Sequence, residues 1–228
     1  MQPYFLPYIG YWQLLSACDH FVLYDSIQYT KKGWINRNRF LLNGRPEIFT
    51  LPLRKASHGL NVVDREIAPE FRPDKLLARW SSAYQCAPYF KSTYSLMEQV
   101  IRYPDRNLFD YIFVSIKSIA SHLGISTPIT ISSELESNVS IARGSDRVLR
   151  LCKTLAATHY INSIGGTDIY DKQEFLSAGL TLHFLRTHKL EYSQQADKHV
   201  PFLSILDVLM YNSIDKVRNK ILFEYDLL

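Results

Sequence analysis

The residues of this chain that are best suited to chemistry lie in its first 39 positions, in two blocks. The first block, MQPYFLPYIGYWQLL, combines two prolines with a Gly10-Tyr11 step, and the second runs from Asp25 to Arg39. No acidic residue occurs from position 26 to position 46. Cations and amides interleaved with aromatic rings at this density indicate a site for an anion, because guanidinium and ammonium groups pair with phosphate oxygens.

The second block offers a carboxylate followed by four cations. Asp25 comes directly after the apolar run Phe21–Tyr24, where it could accept a proton from an amine or a hydroxyl. Trp34 or Tyr29 could stack on a base or on a sugar face. The cations that could neutralise a diphosphate are Lys31, Lys32, Arg37 and Arg39. The alternative interpretation is the solvated basic face of a hairpin.

The end of this block alternates amides and cations, which is typical of a strand. Successive side chains of a strand point to opposite faces, so the two asparagines would share one face and the two arginines the other. These residues are Asn36 and Asn38, and Arg37 and Arg39. At most one of the two pairs can therefore face a given ligand.

The N-terminal loop is predicted to face a ligand. Pro3 and Pro7 stiffen it, and Gly10 allows a ligand to approach the backbone where a helix begins at Ile9. The alternative is an arm whose rings pack into the core. No apolar strand precedes Met1, although a strand would normally aim such a loop. Either the domain lacks that strand or the true start of the chain lies upstream.

Two further candidates lie outside these blocks. His58, in a polar loop, is a candidate acid–base group because histidine side chains change charge near neutral pH, and the alternative is an exposed residue without a role. Residues 162–167, NSIGGT, follow a predicted strand, and their glycines could form an anion-binding loop or a plain tight turn. The three cysteines show no C-x-x-C spacing, so we expect no metal site.

Hydrophobic periodicity predicts a single α/β domain over residues 1–228, with a parallel-sheet, Rossmann-like core. The predicted strands are 21–24, 128–132, 159–164 and 182–185, and the predicted helices are 9–18, 145–155, 171–178, 204–211 and 215–223. A β-hairpin should turn at Asn43-Gly44. Three helical patterns, at 73–87, 89–103 and 105–123, predict a helical subdomain inserted at about 73–123.

Composition limits the class of partner and the compartment. The net charge is +4, and much of the excess lies in the early basic tract. A local patch of this kind suits a phosphate-bearing small molecule better than nucleic acid. No apolar run approaches the ~20 residues of a membrane span, and no signal-peptide pattern is present. We therefore expect a cytoplasmic protein with reduced thiols, and we leave open whether it forms a homo-oligomer.

The order and spacing of these blocks resemble the WbqC-like family over nearly the whole chain. Members of that family share the blocks (H/M)QP-x-x-x-P-x-x-GY and D-x-x-QY-x-(K/R)-x-x-W-x-NRN, and a glycine-containing loop after a strand in the C-terminal half. The corresponding positions here are Gln2, Pro3, Pro7, Gly10 and Tyr11; Asp25, Gln28, Tyr29, Lys31, Trp34, Asn36, Arg37 and Asn38; and Ser163, Gly165, Gly166 and Tyr170.

The resemblance implies a role in the assembly of O-antigen and other surface polysaccharides, where many substrates are nucleotide-linked deoxyamino sugars. We therefore predict an enzyme that transfers an acyl or aminoacyl group to the amine of such a sugar. The acyl donor would be a coenzyme A thioester or an acyl-adenylate. The alternatives are a glycosyltransferase that uses a nucleotide sugar, and a non-catalytic scaffold of a polysaccharide assembly complex.

In this scheme the predicted site residues have distinct roles. Asp25 or His58 takes the proton from the attacking amine, and Gln2 and Tyr11 hold the acyl donor. The basic tract and the Gly165 loop bind the diphosphate. The full set of predicted substrate-binding residues is Gln2, Pro3, Tyr4, Gly10, Tyr11, Gln28, Tyr29, Lys31, Lys32, Trp34, Asn36, Arg37, Asn38, Arg39, Ser163, Gly165, Gly166 and Tyr170.

Overall fold

The computed structural model describes residues 1–135 and 144–228, and it has a mixed α/β architecture. In chain order the elements are α1 (Ile9–Ser16), β1 (Phe21–Leu23), β2 (Arg37–Leu42), β3 (Arg45–Thr50), α2 (Pro73–Tyr84), α3 (Phe90–Ile101), α4 (Leu108–His122), β4 (Ile129–Ile131), α5 (Ser132–Leu135), α6 (Ser145–Thr154), β5 (His159–Ser163), α7 (Lys172–Ser177), β6 (Thr181–Thr187), α8 (Ile205–Tyr211), α9 (Ile214–Asn219) and β7 (Tyr225–Leu227). Two 3-10 turns, Ile164–Gly166 and Ile221–Phe223, follow β5 and α9.

The strands lie in three small sheets. β1 pairs in parallel with β4, β2 pairs antiparallel with β3, and β6 lies between β5, which is parallel to it, and β7, which is antiparallel. The predictions of an α/β protein with parallel strands and a hairpin are confirmed. A continuous Rossmann-like sheet is not confirmed. Within residues 1–135 and 144–228, β1 pairs only with β4 and β5 only with β6, because a cleft separates β1 from β5.

The β2–β3 hairpin forms where the sequence predicts it. Asn43 and Gly44 both have positive φ angles, 50° and 72°, as a two-residue turn with the right twist requires. Pro46 lies within β3, opposite Leu41. The Leu41 N–H donates to Tyr84 Oη at 2.8 Å rather than across the ladder, so a residue without an N–H is tolerated in this edge strand.

The three predicted helices of the segment 73–123 are α2, α3 and α4. Pro73 occupies the first turn of α2, and Asn107 caps α4 by accepting hydrogen bonds from the backbone N–H groups of Phe109 and Asp110. Their apolar faces pack into the same core cluster as α1 and the hairpin. In that cluster the ring of Phe49 lies edge-on to Trp80, with 5.1 Å between ring centroids. The helical segment therefore shares its core with the N-terminal blocks.

A second, smaller core cluster forms around α6, α7 and β6. Its buried members are Val148, Cys152, Phe175, Leu180, Leu182 and Phe184. The C-terminal segment differs from prediction, because the expected helix 215–223 is divided into α9 and a 3-10 turn, and β7 then adds an edge strand. Three residues carry too little periodicity for β7 to be recognised from the sequence. Within the described ranges, no helix is long and apolar enough to cross a membrane.

Candidate functional site

A cleft with a volume of about 1190 Å³ lies between β1 and β5. Most of its lining residues fall into an apolar part and a polar part. The apolar part consists of the two strands with neighbouring residues of α1 and α6. The polar part follows the carboxyl ends of both strands and is lined by Gln2, Tyr4, Ser26, Gln28, Gly59, Asn61, Arg147, Asn162, Ser163, Gly165, Gly166 and Tyr170. Ligands of α/β proteins bind outside the carboxyl ends of parallel strands, so the polar part is the candidate site.

The polar part brings together residues from all three blocks that the sequence singled out. Gln2 and Tyr4 come from the N-terminal loop, Gln28 from the second block, and Ser163, Gly165, Gly166 and Tyr170 from the loop after β5. These positions are far apart in the chain. Their convergence on one cleft is the main structural support for a ligand site here.

The N-terminal loop is held in place by two tyrosines, Tyr4 within the loop and Tyr11 in α1. Tyr4 Oη donates to Gln2 Oε1 at 3.1 Å, and the buried Tyr11 Oη donates to the Gln2 carbonyl at the same distance. Burial raises the pKa of Tyr11 well above its usual value, so its hydroxyl stays protonated and remains a donor. Pro3 is buried, whereas Gln2 is exposed. The loop therefore presents Gln2 and Tyr4, while Pro3 and Tyr11 support it.

Gly10 has a packing role in this structure. A Cβ atom at this position would lie 2.7 Å from Thr187 Oγ1. Gly10 therefore allows α1 to approach β6 closely, and it does not belong to the cleft lining.

Gln28 joins the polar part of the cleft to the loop that carries His58. Gln28 Nε2 donates to the His58 carbonyl at 3.2 Å, and Gln28 forms an antiparallel bridge with Asn61. The His58 side chain is exposed, and its neighbour Gly59 lines the cleft. His58 thus lies at the rim, close to the site but outside its lining.

Asp25 lies behind the cleft wall. Only 5% of the residue is exposed, and its Oδ1 accepts hydrogen bonds from Ser132 Oγ at 2.8 Å and from the Ser133 N–H at 3.2 Å. Burial by itself would raise the pKa of Asp25, but the hydrogen bonds from Ser133 and Ser132 outweigh it and lower the pKa. A carboxylate with a lowered pKa is a weaker proton acceptor.

Arg147, on α6, is a cation in the wall of the cleft that the sequence analysis did not identify. It is 8% exposed, its Nη2 donates to Ser26 Oγ at 2.7 Å, and its guanidinium carbon lies 4.4 Å from the centroid of the Tyr24 ring. Nη2 also donates to Ser132 Oγ at 3.3 Å. A lone arginine in an amphipathic helix carries no sequence signal of function, which explains the omission.

A chain of hydrogen bonds connects Arg147 to Asp25. Ser132 Oγ donates to the Asp25 carboxylate and accepts from Arg147, so Asp25 orients the hydroxyl that holds the guanidinium. This arrangement places a charge-assisted donor at the cleft and a buried carboxylate behind it. Such a donor suits a phosphate or carboxylate group of a ligand.

The basic tract lies away from the cleft lining. The predicted alternation is correct, because Asn36 and Asn38 are buried at 4% and 6% exposure, while the two arginines are half-buried. Asn36 Nδ2 donates to the Leu51 carbonyl at 2.7 Å, and Asn38 Nδ2 donates to the Leu6 carbonyl at 2.8 Å. The amides thus connect the hairpin to neighbouring backbone.

The cations of the tract form a separate exposed surface. The guanidinium carbons of Arg37 and Arg39 lie 5.6 and 5.4 Å from the Trp34 ring centroid, and Trp34 is 41% exposed. Lys31 and Lys32 are exposed. Tyr29 is half-buried and donates through its hydroxyl to Asn36. None of these tract residues belongs to the described cleft lining.

The turn after β5 contributes space and backbone to the site. A Cβ atom at Gly165 would meet nothing within 4 Å, whereas one at Gly166 would lie 3.0 Å from Asn162 Cγ. Gly166 therefore allows the turn to close on Asn162, and Gly165 leaves room in the cleft. Among the described residues, no group of three or more His, Cys, Asp or Glu side chains could hold a metal ion.

Comparison with known proteins agrees with the sequence blocks. The model of the WbqC-like protein family matches residues 2–219. An uncharacterized protein of Mycobacterium tuberculosis is 27% identical over 216 residues, which covers 92% of this chain and 90% of that protein. No solved structure matches the chain at a significant level.

Proposed function

This chain belongs to the WbqC-like protein family, and from that premise we propose that it is an enzyme of surface-polysaccharide assembly. It binds a nucleotide-linked deoxyamino sugar in the polar part of the cleft. There it transfers an acyl or aminoacyl group to the amine of the sugar. The observation that supports the binding step is the convergence of the three sequence blocks and Arg147 on one cleft.

The polar part of the cleft supplies groups of the right kind for such a ligand. The Arg147 guanidinium would pair with a phosphate of the nucleotide. The amides of Gln2 and Gln28 would bond to hydroxyl or amide oxygens of the sugar, and Tyr4 would pack against a ring face. Gly165 would give the ligand access to the backbone after β5.

The transfer step would need no covalent enzyme intermediate. The sugar nitrogen forms a bond to the acyl carbon, the bond from that carbon to the donor's leaving group breaks, and the nitrogen loses a proton. Since Asp25 is engaged with Ser132 and Ser133, we assign the proton to His58 at the rim. The donor is a coenzyme A thioester or an acyl-adenylate, whose leaving group departs as a thiolate or as AMP.

The test of binding uses Arg147 and a matched residue of the same helix. Arg147→Met should weaken binding of a deoxyamino-sugar nucleotide by about 10- to 100-fold in calorimetry, the range expected for a charge-assisted hydrogen bond. Arg150, one turn or less further along α6 and exposed, provides the control Arg150→Met, which should bind normally. Arg147→Lys keeps the positive charge and serves as a second variant in case Arg147→Met does not fold. Equal affinities of all variants would contradict the assignment.

A non-catalytic sugar-nucleotide binder of an assembly complex is the second candidate. The position of Asp25 behind the cleft wall favours it, because the carboxylate predicted to act as a base is engaged with α5. Incubation with a deoxyamino-sugar nucleotide and each donor class, followed by mass spectrometry of the sugar, separates the two candidates. An acylated sugar whose formation His58→Ala abolishes supports the enzyme. Tight binding without product supports the binder.

A further inference from the structure

The backbone of Met1 already forms the hydrogen bonds of a strand residue. Its amino group donates to the Val22 carbonyl at 2.6 Å, and its carbonyl accepts from the Tyr24 N–H at 2.9 Å. These two bonds flank Leu23, which is the pattern of a parallel bridge between Met1 and Leu23. A parallel strand that ended at Met1 would therefore lie beside Val22 and Phe21.

The space beside Val22 and Phe21 is the apolar part of the cleft. Its two edges are β1 and β5, and within the described ranges each of these strands pairs with one other strand, while Met1 alone contacts the second side of β1. Leu14 of α1 and Cys18, two residues after α1, line it on one side, and Leu151 and Cys152 line it from α6. An apolar slot with a strand edge on each side and helices at its faces matches the surroundings of a central strand in a parallel α/β sheet.

The burial of the Met1 amino group also suits a peptide bond at this position better than a charged terminus. Burial lowers the pKa of its amino group from 8.0 to about 5, and the nearby charge of Arg147 acts in the same direction. A charged terminus is therefore unfavourable at this position. A peptide amide could make the same bond to Val22 without a charge.

We propose that the apolar part of the cleft is the seat of a further β-strand, formed by residues that precede Met1 in a longer form of this chain. This strand runs parallel to β1, pairs with β1 and β5, and joins the two small sheets into one, in the order β4-β1-new strand-β5-β6-β7. Because both of its faces are covered, its sequence is a short continuous apolar run. The polar part of the cleft remains open to a ligand.

Two N-terminal extensions test whether the slot accepts a strand. A typical strand has about five residues, so Lys-Val-Val-Ile-Val is placed directly before Met1. The control extension, Lys-Val-Pro-Ile-Pro, has the same length but lacks two N–H donors. The first extension should raise Tm by about 5 °C or more over the control, because it fills an apolar gap and closes two strand edges. Equal Tm values would overturn the proposal.

Hydrogen exchange and the mass of the protein from its natural source complete the test. Amide exchange in residues 21–23 and 159–163 should slow with the apolar extension and not with the control. The protein isolated from its natural source should be heavier than the 26.5 kDa of the present chain. A natural mass of 26.5 kDa would overturn the identity of the occupant. Dimers whose formation slows exchange in the same residues would instead assign the slot to a second copy.

Discussion

At the scale of single residues, the contacts of Asp25 suggest a role other than the one predicted from the sequence. The sequence places this carboxylate after a strand, where a general base would be expected. In the folded chain it accepts hydrogen bonds from Ser132 and Ser133, and Ser132 in turn accepts one from Arg147. Asp25 is therefore linked to Arg147 through Ser132, and we propose that it acts as a positioning residue for Arg147.

We predict that Asp25→Asn lowers the free energy of unfolding by about 1–3 kcal/mol at neutral pH, as expected when a charge-assisted acceptor is lost. Because the folded-state pKa of Asp25 is lowered, its contribution is present above the unfolded-state pKa near 3.8 and is lost as pH falls through the folded-state value. Urea unfolding from pH 7 to pH 3 measures this. Asp19→Asn, at an exposed position, is the control and should change little.

The same variant separates the two roles of Asp25. If Asp25 is a positioning residue, Asp25→Asn should weaken sugar-nucleotide binding and turnover to a similar extent, because both depend on Arg147. Loss of turnover at unchanged affinity would instead restore the role of proton acceptor.

At the scale of secondary-structure elements, α1 is positioned by contacts that only a glycine allows. Gly10 faces Thr187 of β6, and Thr187 Oγ1 donates to Gln13 Oε1 at 2.7 Å. Gln13 Nε2 in turn donates to the carbonyl of Ile221 at 2.8 Å. Helix α1 is thus connected to β6 and to the C-terminal 3-10 turn, so the helix that begins after the N-terminal loop is well anchored.

We predict that Gly10→Ala destabilises the protein by about 1–3 kcal/mol, the usual cost of overpacking. The sign of the change is informative, because alanine has a higher helix propensity than glycine. If helix propensity outweighed the contact with Thr187, Gly10→Ala would stabilise the protein. Gly165→Ala, where a Cβ atom meets nothing within 4 Å, should stay within about 0.5 kcal/mol of the parent chain. Chemical denaturation measures both. A stabilising Gly10→Ala would show that Thr187 moves away without penalty.

At the scale of the whole molecule, the amino group of Met1 should make the stability of the 228-residue chain depend on pH. Its pKa is near 5 in the folded chain and near 8 in the unfolded chain, so the unfolded state binds more protons between these values. The free energy of unfolding should therefore increase as the pH is raised from 5 to 8, and decrease as it is lowered over the same range. The three-unit difference limits this effect to at most about 4 kcal/mol.

Acetylation of the Met1 amine should remove this dependence. The groups that influence the amine are Arg147, which disfavours its charge, and Cys18, which favours it. The two chains differ only at this amine, so the difference between acetylated and free chains isolates its contribution. Denaturant unfolding at pH 5, 6.5 and 8 measures this difference. Parallel curves for the two chains would contradict the buried position of the terminus.

Most helices, most strands, the hairpin and the resemblance to the family could be predicted from the sequence. Periodicity and turn chemistry are local properties, so α4 and the Asn43-Gly44 turn could be predicted from neighbouring residues. The family blocks likewise identified Gln2, Gln28 and the loop after β5 as candidate site residues, and these do line the cleft.

Which of the candidate residues lie together depends on how distant elements pack. The basic tract is conspicuous in sequence, yet its amides hold the hairpin and its cations surround Trp34 outside the cleft. Arg147 is inconspicuous in sequence, yet packing of α6 places it at the site. The separation of β1 from β5 also became visible only in three dimensions. Contacts between distant residues depend on how elements pack, and no local pattern records that packing.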